Sequence, residues 1–192
     1  MALTRTFLAI ELDDATRAFI RGRVDLLREA MPRVRFVAEE TWHITMAFLG
    51  ELDDAQLAAA RQAAQSAAQQ SHPFTLHAAG IGTFGGEVAP RVIWIGVAGM
   101  TRELATTQQQ VVSALHATQV PYDDEKRYSP HITLARLRAP LAPSETQQLR
   151  QLETLEGHGP DLPATAISVM KSDLSQSGAR YTCLERAAFA GE

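Results

Sequence analysis

The sequence predicts a mixed α/β (α+β) chain organised as two similar lobes. Three observations predict it. The octapeptide HITMAFLG at residues 43–50 returns as HITLARLR at 131–138, so that His43 and His131 stand 88 residues apart. Strand-like and helix-like segments follow in a similar order on either side of a glycine- and proline-rich stretch, GTFGGEVAPR at 82–91. With 192 residues and 45% hydrophobic content, the chain is long enough for one domain with a substantial core, or for two small lobes sharing one. A period this long, present only twice, is a duplication and not a solenoid.

Residues 6–12, TFLAIEL, form a short apolar run suited to a central strand. Asp13 and Asp14 then offer an N-cap for a helix whose Ile20, Val24 and Leu27 recur at helical spacing and which ends near Pro32. VRFVA at 34–38 alternates like a strand, and the first motif strand follows. A second helix starts at Asp53-Asp54 and runs through an Ala/Gln-rich segment to about Gln70, where Ser71, His72 and Pro73 break it. FTLHAAGI at 74–81 is strand-like. The stretch at 82–91 reads as a loop crossing from one half to the other. VIWIGV at 92–97 is a buried-type strand, Thr101 caps a helix carrying Leu104, Val111 and Leu115 on one stripe, and Pro121 stops it. After the charged YDDEKRY come the second motif strand, a helix at about 144–153, and strands at TAISVMK and ARYTCLERAAF. The whole of 1–192 is expected to be one bilobal unit.

The formal charge of −4 argues against a protein that coats long nucleic acid, because such binding neutralises many phosphates at once, and it leaves a small anionic site open. Of the 18 basic residues only Lys126 and Lys171 are lysine. Guanidinium forks suit phosphate, although an arginine- and alanine-rich composition equally reflects a GC-rich genome. Cys183 is the only cysteine, which excludes an internal disulfide and points to a reducing compartment. The N-terminal MALTRTFLAIEL meets Glu11 too early for a signal peptide, and no apolar run approaches the roughly 20 residues of a spanning helix, so a cytoplasmic protein without membrane contact is expected.

The repeated motif carries the chemistry. On a strand, His43 and Thr45 share one face while Ile44 and Met46 take the other, and the same holds for His131 and Thr133 against Ile132 and Leu134. Each strand thus sets an imidazole and a hydroxyl about 6.6 Å apart along its length. If a pseudo-two-fold axis relates the halves, the four groups converge on one cleft. Two imidazoles facing each other across a small anion can perform both proton transfers of a phosphodiester displacement, one neutral as base and one protonated as acid, with the hydroxyls on the non-bridging oxygens. The arginine at the end of the second motif, Arg136, can add positive charge. A metal site is the weaker reading, because neither motif supplies a second ligand nearby.

These residues resemble the paired His-x-Thr-x signatures of the two-histidine (2H) phosphoesterases, and specifically the bacterial and archaeal RNA 2′,3′-cyclic phosphodiesterases once described as 2′-5′ RNA ligases. The resemblance spans TFLAIEL, VRFVAEETWHITMAFLGEL, APRVIWIGV, RYSPHITLAR and KSDLSQSGARYTCLERAAF. It implies two pseudo-two-fold-related lobes of antiparallel sheet, helices outside, around a central cleft. It also implies hydrolysis of a terminal 2′,3′-cyclic phosphate on RNA 3′ ends to a 2′-phosphate, with no cofactor and no metal; a monomer is expected. By the match of motifs, His43 is the proton donor, His131 the proton acceptor, and Thr45 and Thr133 bind the phosphate; the residues alone leave acid and base unassigned. A 2′,5′-linked oligonucleotide or small cyclic nucleotide as substrate, or an RNA-end binding or ligase role, keeps the same motifs.

The copies differ at the fifth residue after the histidine, Phe48 in the first and Arg136 in the second. Strict alternation turns both away from the histidine face, so their involvement needs a strand end, twist or bulge. The resemblance suggests that Phe48 stacks on the terminal base and Arg136 contacts the phosphate; a core aromatic is the plain alternative for Phe48. His72, His116 and His158 read as surface residues, His77 as a structural one, and Trp42 as packing. Arg35, Arg91 and Arg127 suit either the approach of an RNA strand or a solvated face.

Overall fold

In a computed structural model, described here for residues 3–86, 89–124, 127–176 and 178–191, eight strands and four helices alternate along the chain. Strand β1 (Thr4–Glu11) buries Phe7, Leu8, Ala9 and Ile10 on both faces, as a central strand must. Helix α1 (Asp14–Ala30) is capped by Asp13, whose carboxylate accepts from the Thr16 amide at 2.8 Å, and it buries Ile20, Val24 and Leu27. A 3₁₀ turn (Glu39–Thr41) leads into β2 (His43–Leu52), the first motif strand. Asp53 and Gln56 form a reciprocal capping box at the start of α2 (Asp54–Gln69). The buried face of α2 is alanine throughout, at positions 60, 63, 64, 67 and 68, which lets it lie close to its neighbours. Strands β3 (Phe74–Phe84) and β4 (Val92–Gly99), helix α3 (Thr101–Ala117) and β5 (His131–Arg136), the second motif strand, follow. Helix α4 (Pro143–Glu153), the three-residue β6 (Leu162–Ala164), β7 (Ala166–Ser175) and β8 (Gly178–Ala188) complete the order.

The strands form two four-stranded antiparallel sheets, β2-β1-β7-β8 and β5-β4-β3-β6. The orders match under exchange of halves: β2-β1-β7 in one sheet corresponds to β5-β4-β3 in the other. Each motif strand is therefore an edge strand, and each half sends a later strand into the opposite sheet.

This swap corrects the expected crossover at 82–91. Residues 82–84 belong to β3, which pairs with β4 in the same sheet through Phe84↔Val92, so that stretch closes a hairpin; Glu87 and Val88 lie outside the described residues. The chain changes sheets between α2 and β3 and again between β6 and β7.

Two further expectations change. VRFVA forms no strand: Phe36 makes an isolated bridge to Ala135, and the Val37 amide donates to the Leu134 carbonyl at 2.9 Å. The Asp123 amide likewise donates to the Phe48 carbonyl at 2.9 Å. The segment ahead of each motif thus covers part of the open edge of the other motif strand, which keeps two exposed edges from pairing elsewhere and ties the halves together. Thr101 is the first residue of α3; the cap is Met100, with no side-chain hydrogen bond. One continuous core joins both sheets, with Leu8, Ile10 and Ile44 from the first and Ile93, Ile95 and Ile132 from the second.

Candidate active site

The pairing of the motif strands places the side chains that alternation alone leaves on the wrong face. Along β2, Thr45 pairs with Ala9 and Ala47 with Leu8, so Met46 is an extra residue in its strand. Along β5, Thr133 pairs with Trp94 and Ala135 with Ile93, so Leu134 is the extra residue there. Each bulge shifts the alternation by one, and Phe48 returns to the face of His43 and Thr45, opposite Phe7, while Arg136 returns to the face of His131 and Thr133, opposite Val92. Met46 and Leu134 are themselves buried, as are Ile44 and Ile132 beside them.

Both histidines are half-buried. The ring nitrogen Nδ1 of His43 lies 2.7 Å from the Thr41 carbonyl, and that of His131 lies 2.8 Å from the Ser129 carbonyl, two residues earlier in each case. A carbonyl only accepts, so each Nδ1 carries a proton and each Nε2 is the nitrogen left for exchange. In the first motif that Nε2 meets the Thr45 hydroxyl at 2.9 Å; with His43 neutral, the hydroxyl donates to it.

Burial pushes His43 down to about 4, because little solvent remains to stabilise the imidazolium, and the charges of His131, Arg136 and Arg17 lower it further against the opposing hydrogen bond that His43 donates to the Thr41 carbonyl. His131 is lowered as well, by burial first and by Arg136. Arg136, itself exposed, thus acts on both imidazoles from the end of β5. His43, His131 and Arg136 thus act on one another electrostatically, Thr45 is bonded to His43, and Thr133 and Phe48 lie on the faces of their motif histidines.

Aromatic rings frame each histidine. Phe7 lies 4.7 Å from the His43 ring, and Tyr181 meets it edge-on at 5.3 Å. On the other wall Phe84 meets His131 edge-on at 4.8 Å and Trp94 lies 6.4 Å away. Arg5 lies over the Phe48 ring, 4.6 Å from its centre. Sequence reasoning named none of these neighbours. A signal for one existed in the glycines near it: a Cβ on Gly82 would run into the Trp94 indole, and one on Gly96 would meet the Ala79 carbonyl oxygen first and the indole edge next, so both positions need a residue without a side chain.

The remaining histidines take local partners. His72 bonds the Ala190 carbonyl at 3.1 Å, and His116 bonds the Tyr122 hydroxyl at 2.8 Å. His77 and His158 pack ring against ring at 4.6 Å at the far end of β3. Trp42 is buried in the core. Arg35, Arg91 and Arg127 are all exposed. No helix among the described residues is long and apolar enough to cross a membrane.

Comparison with known proteins agrees with this geometry. The model of a family described as LigT like Phosphoesterase matches the chain twice, over residues 11–94 and 95–181, one match holding each motif histidine. A protein of Thermus thermophilus named RNA 2′,3′-cyclic phosphodiesterase is 32% identical over 199 residues, covering 98% of this chain and 91% of that one. One of the same name from Methanothermobacter thermautotrophicus is 26% identical, covering 94% and 96%. A third, from Geobacillus stearothermophilus, is 34% identical over 155 residues, and the match spans 79% of this chain but only 48% of that protein, about half its length. The crystal structure of a Thermus thermophilus protein superposes with a TM-score of 0.74 at 28% identity, covering 98% of this chain and 99% of the other. E. coli LigT in its apo form shares the fold, with a TM-score of 0.72 at 24% identity. Matched in both halves, with a histidine motif in each and a fold shared from end to end, the chain belongs to the LigT-like phosphoesterase family of the two-histidine superfamily.

Proposed function

We propose that this protein hydrolyses the terminal 2′,3′-cyclic phosphodiester of RNA to a 2′-phosphomonoester by general acid–base catalysis between His43 and His131. The observation that carries the reading is the matched pair of imidazoles, each with Nδ1 held by a backbone carbonyl and Nε2 available. The names borne by the relatives agree with this substrate. In the reaction, a water oxygen attacks phosphorus and gives its proton to Nε2 of His131. The bond from phosphorus to O3′ breaks, and O3′ takes the proton from Nε2 of His43. Thr45 and Thr133 donate to the non-bridging oxygens, Arg136 opposes the charge that builds on them, and Phe48 offers its ring to the terminal base.

The proton on His43 has to come with the substrate. Burial disfavours the imidazolium in the free protein. A bound phosphodiester anion favours it and draws the Thr45 hydroxyl from the imidazole to phosphate oxygen. No metal enters the proposal; among the described residues no three His, Cys, Asp or Glu side chains gather as a ligand set. We place the enzyme in the cytoplasm, acting as a monomer and as one bilobal unit on RNA 3′ ends.

One observation favours a second reading in which the roles are exchanged: His43 is the harder of the two to protonate in the free protein, which suits a base. Identifying the product end decides between them. A short RNA ending in a 2′,3′-cyclic phosphate, incubated with the protein in EDTA, is expected to yield a 2′-phosphate. A 3′-phosphate would mean that the acid sits beside O2′ and that the two histidines trade roles. An unchanged substrate would overturn hydrolysis without a metal.

A further inference from the structure

Beside the lead-in to His43 stands a cation that the catalytic reading does not use. The half-buried guanidinium of Arg17, on α1, donates through Nε to the Leu12 carbonyl at 3.3 Å, through Nη1 to the Glu39 carbonyl at 2.6 Å and through Nη2 to the Trp42 carbonyl at 3.4 Å. These acceptors lie just past the end of β1, in the 3₁₀ turn, and at the residue immediately before His43. One helical turn on, Arg21 grips the Glu39 carboxylate through two hydrogen bonds, at 2.8 and 2.5 Å. Between the two carbonyls that Arg17 holds in this lead-in lies that of Thr41, which accepts from His43 Nδ1. The peptide from 39 to 42 is thus fixed by α1 on one side and by the imidazole on the other.

Charge-assisted bonds to carbonyls hold a backbone more tightly than neutral ones, and a planar fork reaches several acceptors at once where an ammonium cannot. The second half differs here. Helices α1 and α3 have the same length and start 87 residues apart, so the position that matches Arg17 is Leu104, a buried leucine where the first half has a guanidinium.

We infer that Arg17 is a positioning residue for His43: it fixes the lead-in to β2 so that the imidazole keeps its Nδ1 on Thr41 and presents Nε2 to the cleft, and it sets a positive charge near that histidine. This rests on the reading of His43 as a proton-transfer group. The groups that face His43 are Arg17 from α1, Glu11 as its cross-strand neighbour on β1, Tyr181 from β8, and His131 and Arg136 from β5. Arg17, His131 and Arg136 all oppose a proton there, so loss of the Arg17 charge moves the His43 titration upward.

The test reads kcat, KM and the NMR titration of the His43 ring in Arg17→Met and Arg17→Lys, with Arg21→Met as control. Arg17→Met is expected to lower kcat by about 10- to 100-fold, the range that a small misplacement of a reacting group produces, with KM little changed and the His43 titration raised. Arg17→Lys keeps the charge and loses the fork, so kcat falls while the titration stays near that of the parent. Arg21→Met, which leaves the three carbonyl contacts in place, is expected to change thermal stability alone. Parental kcat and an unmoved His43 titration in a folded Arg17→Met overturn the inference; if that variant does not fold, parental kcat in Arg17→Lys does so. Full turnover in His43→Ala would instead overturn the catalytic reading itself, whereas an inactive His43→Ala beside normal Arg17 variants would sink only the positioning role.

Discussion

Met46 and Leu134 occupy the same place in the two motif strands: each is the extra residue of a bulge, and each brings the side chain two residues on, Phe48 or Arg136, to the face of its motif histidine. The bulges are 88 residues apart, as the histidines are, so the duplication extends to the backbone irregularity and not only to the His-x-Thr pattern. What differs is what the bulge delivers, a phenyl ring on one wall and a guanidinium on the other.

Arg136→Ala is expected to weaken binding of a nucleoside 2′-phosphate by about 10- to 100-fold, the worth of one hydrogen bond to a charged partner, with thermal stability nearly unchanged because the side chain is exposed. Calorimetric titration beside a melting curve reads both. Unaltered affinity would remove Arg136 from the site.

Replacing either histidine by alanine is expected to lower turnover by about 10² to 10⁴, the usual contribution of one general acid or base. The double variant should lose little more than the worse single one, because the two groups act as a unit. Additive losses in a single-turnover assay would argue for independent roles.

The pH dependence follows from two depressed imidazoles. The working form of the pair carries one proton, so kcat/KM rises with pH through the lower titration, about 4 for His43, and falls through the upper one, below the ordinary 6.5 of His131. The maximum for the free enzyme is expected on the acid side of neutrality. The profile of kcat is expected to peak at higher pH, since bound phosphate raises both groups. A kcat/KM maximum above pH 7 would contradict the burial of these rings.

Stability carries the same signature. His43 titrates lower in the folded chain than in the unfolded one, so the unfolded state binds more protons on acidification. The contribution of the neutral imidazole is complete above about pH 6.5 and is lost as pH falls toward 4. In His43→Gln the melting temperature should fall less steeply over this interval than in the parent. Parallel curves would show that other groups set the acid limb.

Gly82→Ala introduces a methyl where the Trp94 indole lies. Overpacking of this kind costs about 1–3 kcal/mol, and the ring, which packs beside Phe84 and His131, has to shift. Lower stability together with altered Trp94 fluorescence is expected; an unchanged melting temperature would mean that the indole has another place to go.

Much of this was legible before any tertiary contact was known. Asp13 and Asp53 cap their helices where the sequence places them, and Ile20, Val24 and Leu27 bury the stripe that their spacing draws. His43, Thr45, His131 and Thr133 take the faces that alternation assigns. That Phe48 and Arg136 share the histidine face was legible only as a condition, a bulge, which the pairing of β1 with β2 and of β4 with β5 supplies. VRFVA has a strand's alternation but lies beside the edge of β5, where it finds only an isolated partner, so propensity gave way to what its neighbours leave open.

The elements, their caps, the core faces and the doubled histidine motif can all be read along the chain, because each depends on residues a few positions apart. The strand swap between sheets, the phase of the motif strands after their bulges, the aromatic rings around each imidazole and the depth to which His43 is desolvated emerge only on folding. Those depend on strands paired across most of the chain, β1 with β7 and β3 with β6, and no local pattern records which distant partner a strand will meet.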